Sequence, residues 1–502
     1  MLTGAVPTIW LADADGIKFV MSETRIFQKD VDAYKALEFY GQNVVTTEGS
    51  DWRRHRRIAT PAFNEAGNAF VWKETVRIVN EWFAELDTRA QAVGGARAPF
   101  TINAQQALVQ ATFLVISSAG FGRCASWNED QAAMPPPGHA LAFPTAMAAA
   151  LTNLHNKVLI PSWLYALCAR VGIPIVGRIV RETQAAYDAL RAHMLELVAL
   201  SRAWVVTGKV TGDLDAVLLR NLVKANMAVL DSEETDSTQA QAHAREIKSL
   251  TEDELFSNMF TFLLAGHETS AHSLSFAVAL LALYPDVQRR IYEEALRLWP
   301  DGVPTTASTS SYKESMSQLP YTLATFHETL RLFPAVVRIA KVAHADTAVK
   351  AHHFDTNAKG AVETETVAEM SVPIAAGSVI MVDIRALHHN PMYWGNDVYE
   401  FRPERFIDTP SYRWPRDAYM PFSAGPRSCI GQRFAQTEST CLLASLVRTY
   451  EISVPDALRA APFEEQRRTI LSWKPGVTMT PTKCFVQLRR RTLRPSATEE
   501  NE

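Results

Sequence analysis

Cysteine is scarce and dispersed in this chain. Five residues (Cys124, Cys168, Cys429, Cys441, Cys484) are scattered over 502 positions, and no two stand in a CxxC spacing. The odd count and wide separation argue against a disulfide framework and for a reducing compartment. They also give a zinc or iron–sulfur centre little footing. An excess of one charge is missing too: the formal net charge is -4, so nucleic acid is not an expected partner. The opening stretch MLTGAVPTIWLADADGIKFVM has no charged start followed by a long apolar run, so it is neither a signal peptide nor a spanning helix. The apolar residues 158–180 are broken by Pro161, Arg170, Pro174 and Arg178. They read as a helix–loop–helix surface able to touch a membrane, not as a span. No flavin or nicotinamide fingerprint is visible, and no internal repeat. What remains is a hydrophobic content of 47 %, which suits a large buried core.

Residues 7–13 (PTIWLAD) read as a short strand and 15–22 as a helix. From Ser50 onward most segments have helical spacing. Breakers divide them at 134–138 (MPPPG), at the acidic 231–237 and at 304–311. The polar stretch 231–246 has no apolar periodicity and is expected to be a mobile loop. Strand-like pieces come late, at 336–344, 378–382 and 484–488, with a polar, extended insertion at 352–369. The longest helix should start at the capping box Thr251-x-x-Glu254 and stop before Pro285, about 33 residues and so roughly 50 Å. The expected fold class is mainly α with small β-sheets, as one domain over 1–490 followed by a polar tail at 491–502.

Ten residues, Phe422 to Gly431 (FSAGPRSCIG), carry the most chemistry. Cys429 sits between glycines with Arg427 two positions earlier. A thiolate that ligates iron needs a tight loop whose amides point at the sulfur. Gly425 and Gly431 supply backbone freedom for it. Phe422 can cover the sulfur, and Arg427 can meet a carboxylate of the cofactor. The helix that follows adds its positive end. Trp52 and Arg56 stand at i and i+4 on a helix opening after Ser50. They form either a basic patch for phosphate or membrane, or an N–H and guanidinium pair for a haem propionate. Arg53, Arg54 and Arg57 would point elsewhere and could help dock an acidic electron donor. Glu328 and Arg331 share one helix face among apolar neighbours, so the pair should be buried and need a further partner. Arg405 in FRPERF offers one. In AGHETS, Gly266 costs roughly 1 kcal/mol in a helix interior, a cost expected where a ligand approaches the backbone.

The pattern F-x-x-G-x-R-x-C-x-G resembles the haem-binding loop of the cytochrome P450 family. W-x-x-x-R, A-G-x-E-T, E-x-x-R and P-E-R-F also match, in the family's order, over about residues 7–488. The resemblance implies haem b ligated through Cys429. It implies that Thr269 and Glu268 are catalytic, the threonine donating a hydrogen bond to dioxygen and the glutamate relaying protons, while His267 fills a variable position. Glu328, Arg331 and Arg405 would form a structural triad. A further propionate contact would come from Arg338 or Lys341. The implied activity is a monooxygenase reaction on a hydrophobic small molecule, of a microsomal fungal type and a terpenoid-like secondary metabolism. NADPH electrons would come from a separate NADPH-cytochrome P450 reductase, with cytochrome b5 as a further partner. The implied location is the cytosolic face of the endoplasmic reticulum membrane. Family members begin with an apolar anchor and a proline-rich hinge, so this chain reads as N-terminally truncated relative to them. Family topology would line the substrate pocket with Phe262, Leu263, Val336, Val337, Leu471 and Trp473. The alternatives are a haem-thiolate isomerase or peroxygenase, and a non-catalytic haem sensor or inactive truncated fragment.

Overall fold

Asp13 sets the start of the first helix. Its carboxylate accepts the Gly16 N–H at 2.8 Å and so caps Ala14–Ser22, ending the strand before it. Burial alone would push this carboxyl up. Hydrogen bonds from Gly16, Tyr393 and His352 outweigh that and hold it below its ordinary value. The computed structural model describes residues 6–132, 134–160, 174–207, 217–230, 249–306, 312–357, 362–363 and 366–492. The expected loop 231–246, most of the apolar stretch 158–180 and most of the tail 491–502 lie outside these residues.

The strands are short. They are β1 (Thr8–Leu11), β2 (Phe27–Lys29), β3 (Phe100–Asn103), β4 (Arg338–Ala343), β5 (Thr347–His353) and β6 (Ala368–Ile374), followed by β7 (Val379–Asp383), β8 (Tyr450–Ser453), β9 (Trp473–Pro475), β10 (Met479–Pro481) and β11 (Phe485–Arg490). Four of them form a sheet in the order β1-β7-β4-β2, with β1 parallel to β7 and the other pairs antiparallel. A second sheet runs β3-β11-β8, and β9-β10 and β5-β6 are hairpins. The ends of the polar insertion at 352–369 are thus strand: His353 pairs with Ala368 and Thr347 with Ile374. Everything else regular is helix.

Chain contacts gather in two compact units, each built from separate stretches. The first comprises 1–30, 75–109 and 268–502; the second comprises 31–74 and 110–267. Among the described residues, every strand belongs to the first unit and the second is helical. The core of the first lies under the four-stranded sheet, where Ile17, Val20, Phe27, Val382 and Leu387 are buried beside Trp394. Each such side chain stabilises the fold by about 1.5–3 kcal/mol. In the second, Phe39, Tyr40, Tyr187 and Phe260 cluster with ring centroids 5.3 to 6.2 Å apart.

The long helix runs Glu252–Leu283, with Pro285 opening the next one. Its capping box is reciprocal: Thr251 N–H donates to Glu254 at 2.9 Å, and Glu254 N–H donates to Thr251 Oγ1 at 3.2 Å. No single helix among the described residues is long and apolar enough to cross a membrane.

Candidate active site

The cysteine loop leads directly into the helix Gln432–Thr449, and Glu328 and Arg331 belong to the helix Pro320–Leu332. Gly425 has φ +67°, and a Cβ there would collide with the Met21 carbonyl oxygen, so only glycine fits. Gly431 is different. Its φ of -91° is open to any residue, so the backbone freedom expected of it is not used. Ser423 also adopts a left-handed φ, +61°, without being glycine. Cys429 N–H donates to the Phe422 carbonyl at 2.8 Å, closing the loop, and the cysteine side is exposed. Arg427 ends a short 3₁₀ turn, Gly425–Arg427, two residues before it.

Glu328 and Arg331 are both fully buried and form a two-point pair. Nε donates at 2.7 Å and Nη2 at 2.8 Å. Arg331 Nη1 also donates to the His388 and Val398 carbonyls, at 3.0 and 2.7 Å. The Arg402 N–H reaches Glu328 at 3.0 Å. Arg405 lies alongside, its Nε 3.5 Å from Glu328, while its Nη2 lies 2.6 Å from Asp397. Asp397 escaped the sequence reading, although it stands only eight residues before Arg405.

Beyond its first two residues the long helix is buried except at its centre, where Ala265, Gly266, Glu268 and Thr269 are open or half-open. Thr478 donates its hydroxyl to Glu268 Oε1 at 3.3 Å, and His272 Nδ1 is 2.7 Å from the same hydroxyl. Burial pushes the Glu268 carboxyl up, and the Thr478 bond reverses only part of that. The group therefore keeps its proton to higher pH than a free glutamate. His272 stands four residues after Glu268, a helical spacing that could have flagged it; Thr478 left no such trace. Gly266 has a packing reason as well: a Cβ there would lie 2.8 Å from Ile116 Cγ1. His267 is a buried core residue, its ring against Phe113 and its Nδ1 2.7 Å from the Leu263 carbonyl.

Trp52 and Arg56 lie half-buried on the helix Gly49–Ala59 of the second unit. Arg54, expected to point outward for docking, instead donates to Glu254 at 2.6 Å and to the Ser249 carbonyl at 2.8 Å. Lys341 is buried, its Nζ 3.4 Å from the Phe27 carbonyl, whereas Arg338 lies over the Trp10 ring at 4.8 Å. Of the residues expected around a substrate, Val336 and Trp473 are accessible and Leu263 and Leu471 are buried. Elsewhere, His139, His193 and Glu196 offer ligand atoms within 4.8 Å of one another. The two imidazoles are stacked at 3.9 Å and 9°, so their lone pairs run parallel and do not converge on one ion.

The donor chemistry of the loop fits a group held through sulfur: Cys429 is exposed and stands three residues before the helix Gln432–Thr449. A family model described as Cytochrome P450 matches residues 2–481. The chain is 36 % identical to cytochrome P450 monooxygenase 124 of Postia placenta over 491 residues, 96 % of this chain and 83 % of that protein. It is 26 % identical to cytochrome P450 monooxygenase prx9 of Penicillium rubens, covering 96 % and 80 %. A third relative is the phomenoic acid biosynthesis cluster cytochrome P450 monooxygenase of Leptosphaeria maculans, at 25 % over 91 % and 76 %. With a family match over nearly its whole length, this chain belongs to the cytochrome P450 family.

Proposed function

We propose that the chain is a haem-thiolate monooxygenase that inserts one atom of dioxygen into a hydrophobic small molecule and reduces the other to water. Haem b, when bound, supplies the redox centre at which dioxygen is reduced and split. Cys429 is its thiolate ligand, in the loop that Phe422 closes and Gly425 shapes, with Gly431 leading into the following helix. Arg427, Trp52, Arg56 and Lys341 hold its carboxylates. Thr269 donates a hydrogen bond at the reacting side, and Glu268 holds and passes the proton. The observation that carries the reading is the half-open Glu268–Thr269 pair at the centre of a buried helix, its carboxyl protonated to higher pH than usual and touched by Thr478. NADPH-cytochrome P450 reductase supplies the electrons, at the cytosolic face of the endoplasmic reticulum. Fungal relatives, one named for a biosynthesis cluster, support a role in secondary metabolism. A terpenoid-like skeleton is the substrate class implied by the family resemblance; the accessible Val336 and Trp473 suit apolar skeletons in general.

The test is spectroscopic and catalytic together. Reduced protein with carbon monoxide should show the red-shifted band of thiolate-ligated haem, and Cys429→Ser should abolish it. With a reductase and substrate, NADPH consumption should track product. An unchanged band in the serine variant, or product without reductase, would overturn the proposal.

A further inference from the structure

His388 is fully buried and ends the short helix Ile384–His388, a position the sequence reading left without a role. Its two ring nitrogens face different partners. Nε2 lies 2.9 Å from the Met420 backbone N–H, and Nδ1 lies 3.2 Å from the Arg331 carbonyl. A backbone N–H can only donate, so Nε2 must accept. The proton is therefore on Nδ1, which donates to the Arg331 carbonyl. Both buried backbone groups are satisfied only by this neutral tautomer. Burial is the first of the influences that push the ring down to about 3, which keeps it neutral.

The bonds on either side extend the connection. Arg331, held by Glu328, donates in return to the His388 carbonyl at 3.0 Å. Met420 continues toward the cysteine: its carbonyl accepts the Ser423 N–H at 3.0 Å, and Phe422 then accepts the Cys429 N–H at 2.8 Å. Tyr419 stacks on the imidazole with centroids 5.3 Å apart and planes 21° apart, fixing the ring's orientation.

We propose that His388 is the positioning residue that ties the buried Glu328–Arg331 pair to the Cys429 loop, through Met420. The ion pair bonds to the Arg402 N–H and to the His388, Val398 and Glu400 carbonyls, and the imidazole is the joint between it and the loop. This inference rests on Cys429 being the haem ligand, but its first readout needs no haem. His388→Phe keeps a ring against Tyr419 and deletes both hydrogen bonds. Hydrogen exchange in the unloaded full-length chain should then speed up about tenfold at the Met420 and Cys429 amides, with β8 and β11 unchanged. In haem-loaded protein the same variant should convert a large part of the thiolate-type carbon monoxide band to the thiol type. His388→Gln, which keeps one donor and one acceptor, should restore most of both signals. Unchanged exchange at Met420, or a uniform loss that Gln does not rescue, would overturn the proposal. Should the Phe variant fail to fold, nitrogen-15 shifts of the wild-type ring decide. A neutral ring protonated on Nδ1 supports the joint; a proton on Nε2 sinks it. A normal band in Cys429→Ser would separately refute the ligand assignment and leave the exchange result standing.

Discussion

Glu328 and Glu268 are both withdrawn from water in the first unit, yet their surroundings differ in kind. Glu328 meets Arg331 at two points, receives the Arg402 N–H and has Arg405 at 3.5 Å. Glu268 has one hydroxyl at 3.3 Å and an imidazole at 3.9 Å, beside the accessible Thr269. A carboxylate surrounded by charge-assisted bonds has nowhere to send a proton and little freedom to move; it holds elements in place. A carboxyl with a single weak donor and an open side can take up and release one. The contrast separates framework from working part without reference to motif.

The largest expected effect breaks the framework side. Glu328→Ala strands Arg331 and Arg405 without their anion, and truncating one partner of a buried pair costs about 3–5 kcal/mol. Urea melts should show that loss, and the purified protein should retain little haem. A haem-replete variant within about 1 kcal/mol of wild type would mean that the backbone carbonyls around Arg331 suffice.

Much of this contrast was legible from spacing. E-x-x-R places two side chains on one helix face, and a capping box followed by a proline brackets the long helix, so pairs close in sequence were found. Partners distant in sequence were not. Thr478 is 210 residues from Glu268, and no local pattern announces it. The helix Gln432–Thr449 holds polar residues that the sequence analysis left without a reading: Thr437, Glu438, Ser439 and Thr440 are all buried. Burial pushes Glu438 up to about 8, with a Ser270 hydrogen bond pulling the other way, so it carries its proton at neutral pH. Arg54 was misread: a run of arginines reads as a surface, and only the fold brings Glu254 to it. Gly266 and Gly431 show the limit for glycine. A sequence marks that the residue is small, but packing against Ile116 or an ordinary φ decides whether smallness is needed.

An effect of comparable size comes from acid. Burial first pushes His388 down to about 3 and His327 down to about 4, so both rings stay neutral in the fold. In the unfolded chain they take up a proton near 6.5. Between about 6.5 and 4 the unfolded state therefore binds more protons, and stability is lost as pH falls through that window. Each ring contributes about 1.4 kcal/mol per pH unit there. Urea midpoints measured from pH 7 to 4.5 should fall steeply, and less so in His388→Gln. A flat profile would remove the histidines from the framework.

The smallest effect on stability, and the opposite sign, belongs to Glu268. Its folded carboxyl keeps a proton above the ordinary value of 4.5, so just above that value the native state binds more protons than the unfolded chain. Stability from this group is then complete at low pH and lost as pH rises through the folded value. Glu268→Gln abolishes that dependence, and at pH 7 it should stabilise the protein by about 1 kcal/mol or less. The catalytic consequence runs the other way. An amide cannot pass a proton, so product per NADPH should drop about tenfold or more while haem content holds. Thr269→Ala should follow the same course, its electrons diverted to peroxide. Melts at pH 5 and 8 read the first property, and coupling measurements with a reductase read the second. If Glu268→Gln destabilises the fold and leaves coupling intact, Glu268 belongs with Glu328 in the framework, and the distinction between the two carboxyls collapses.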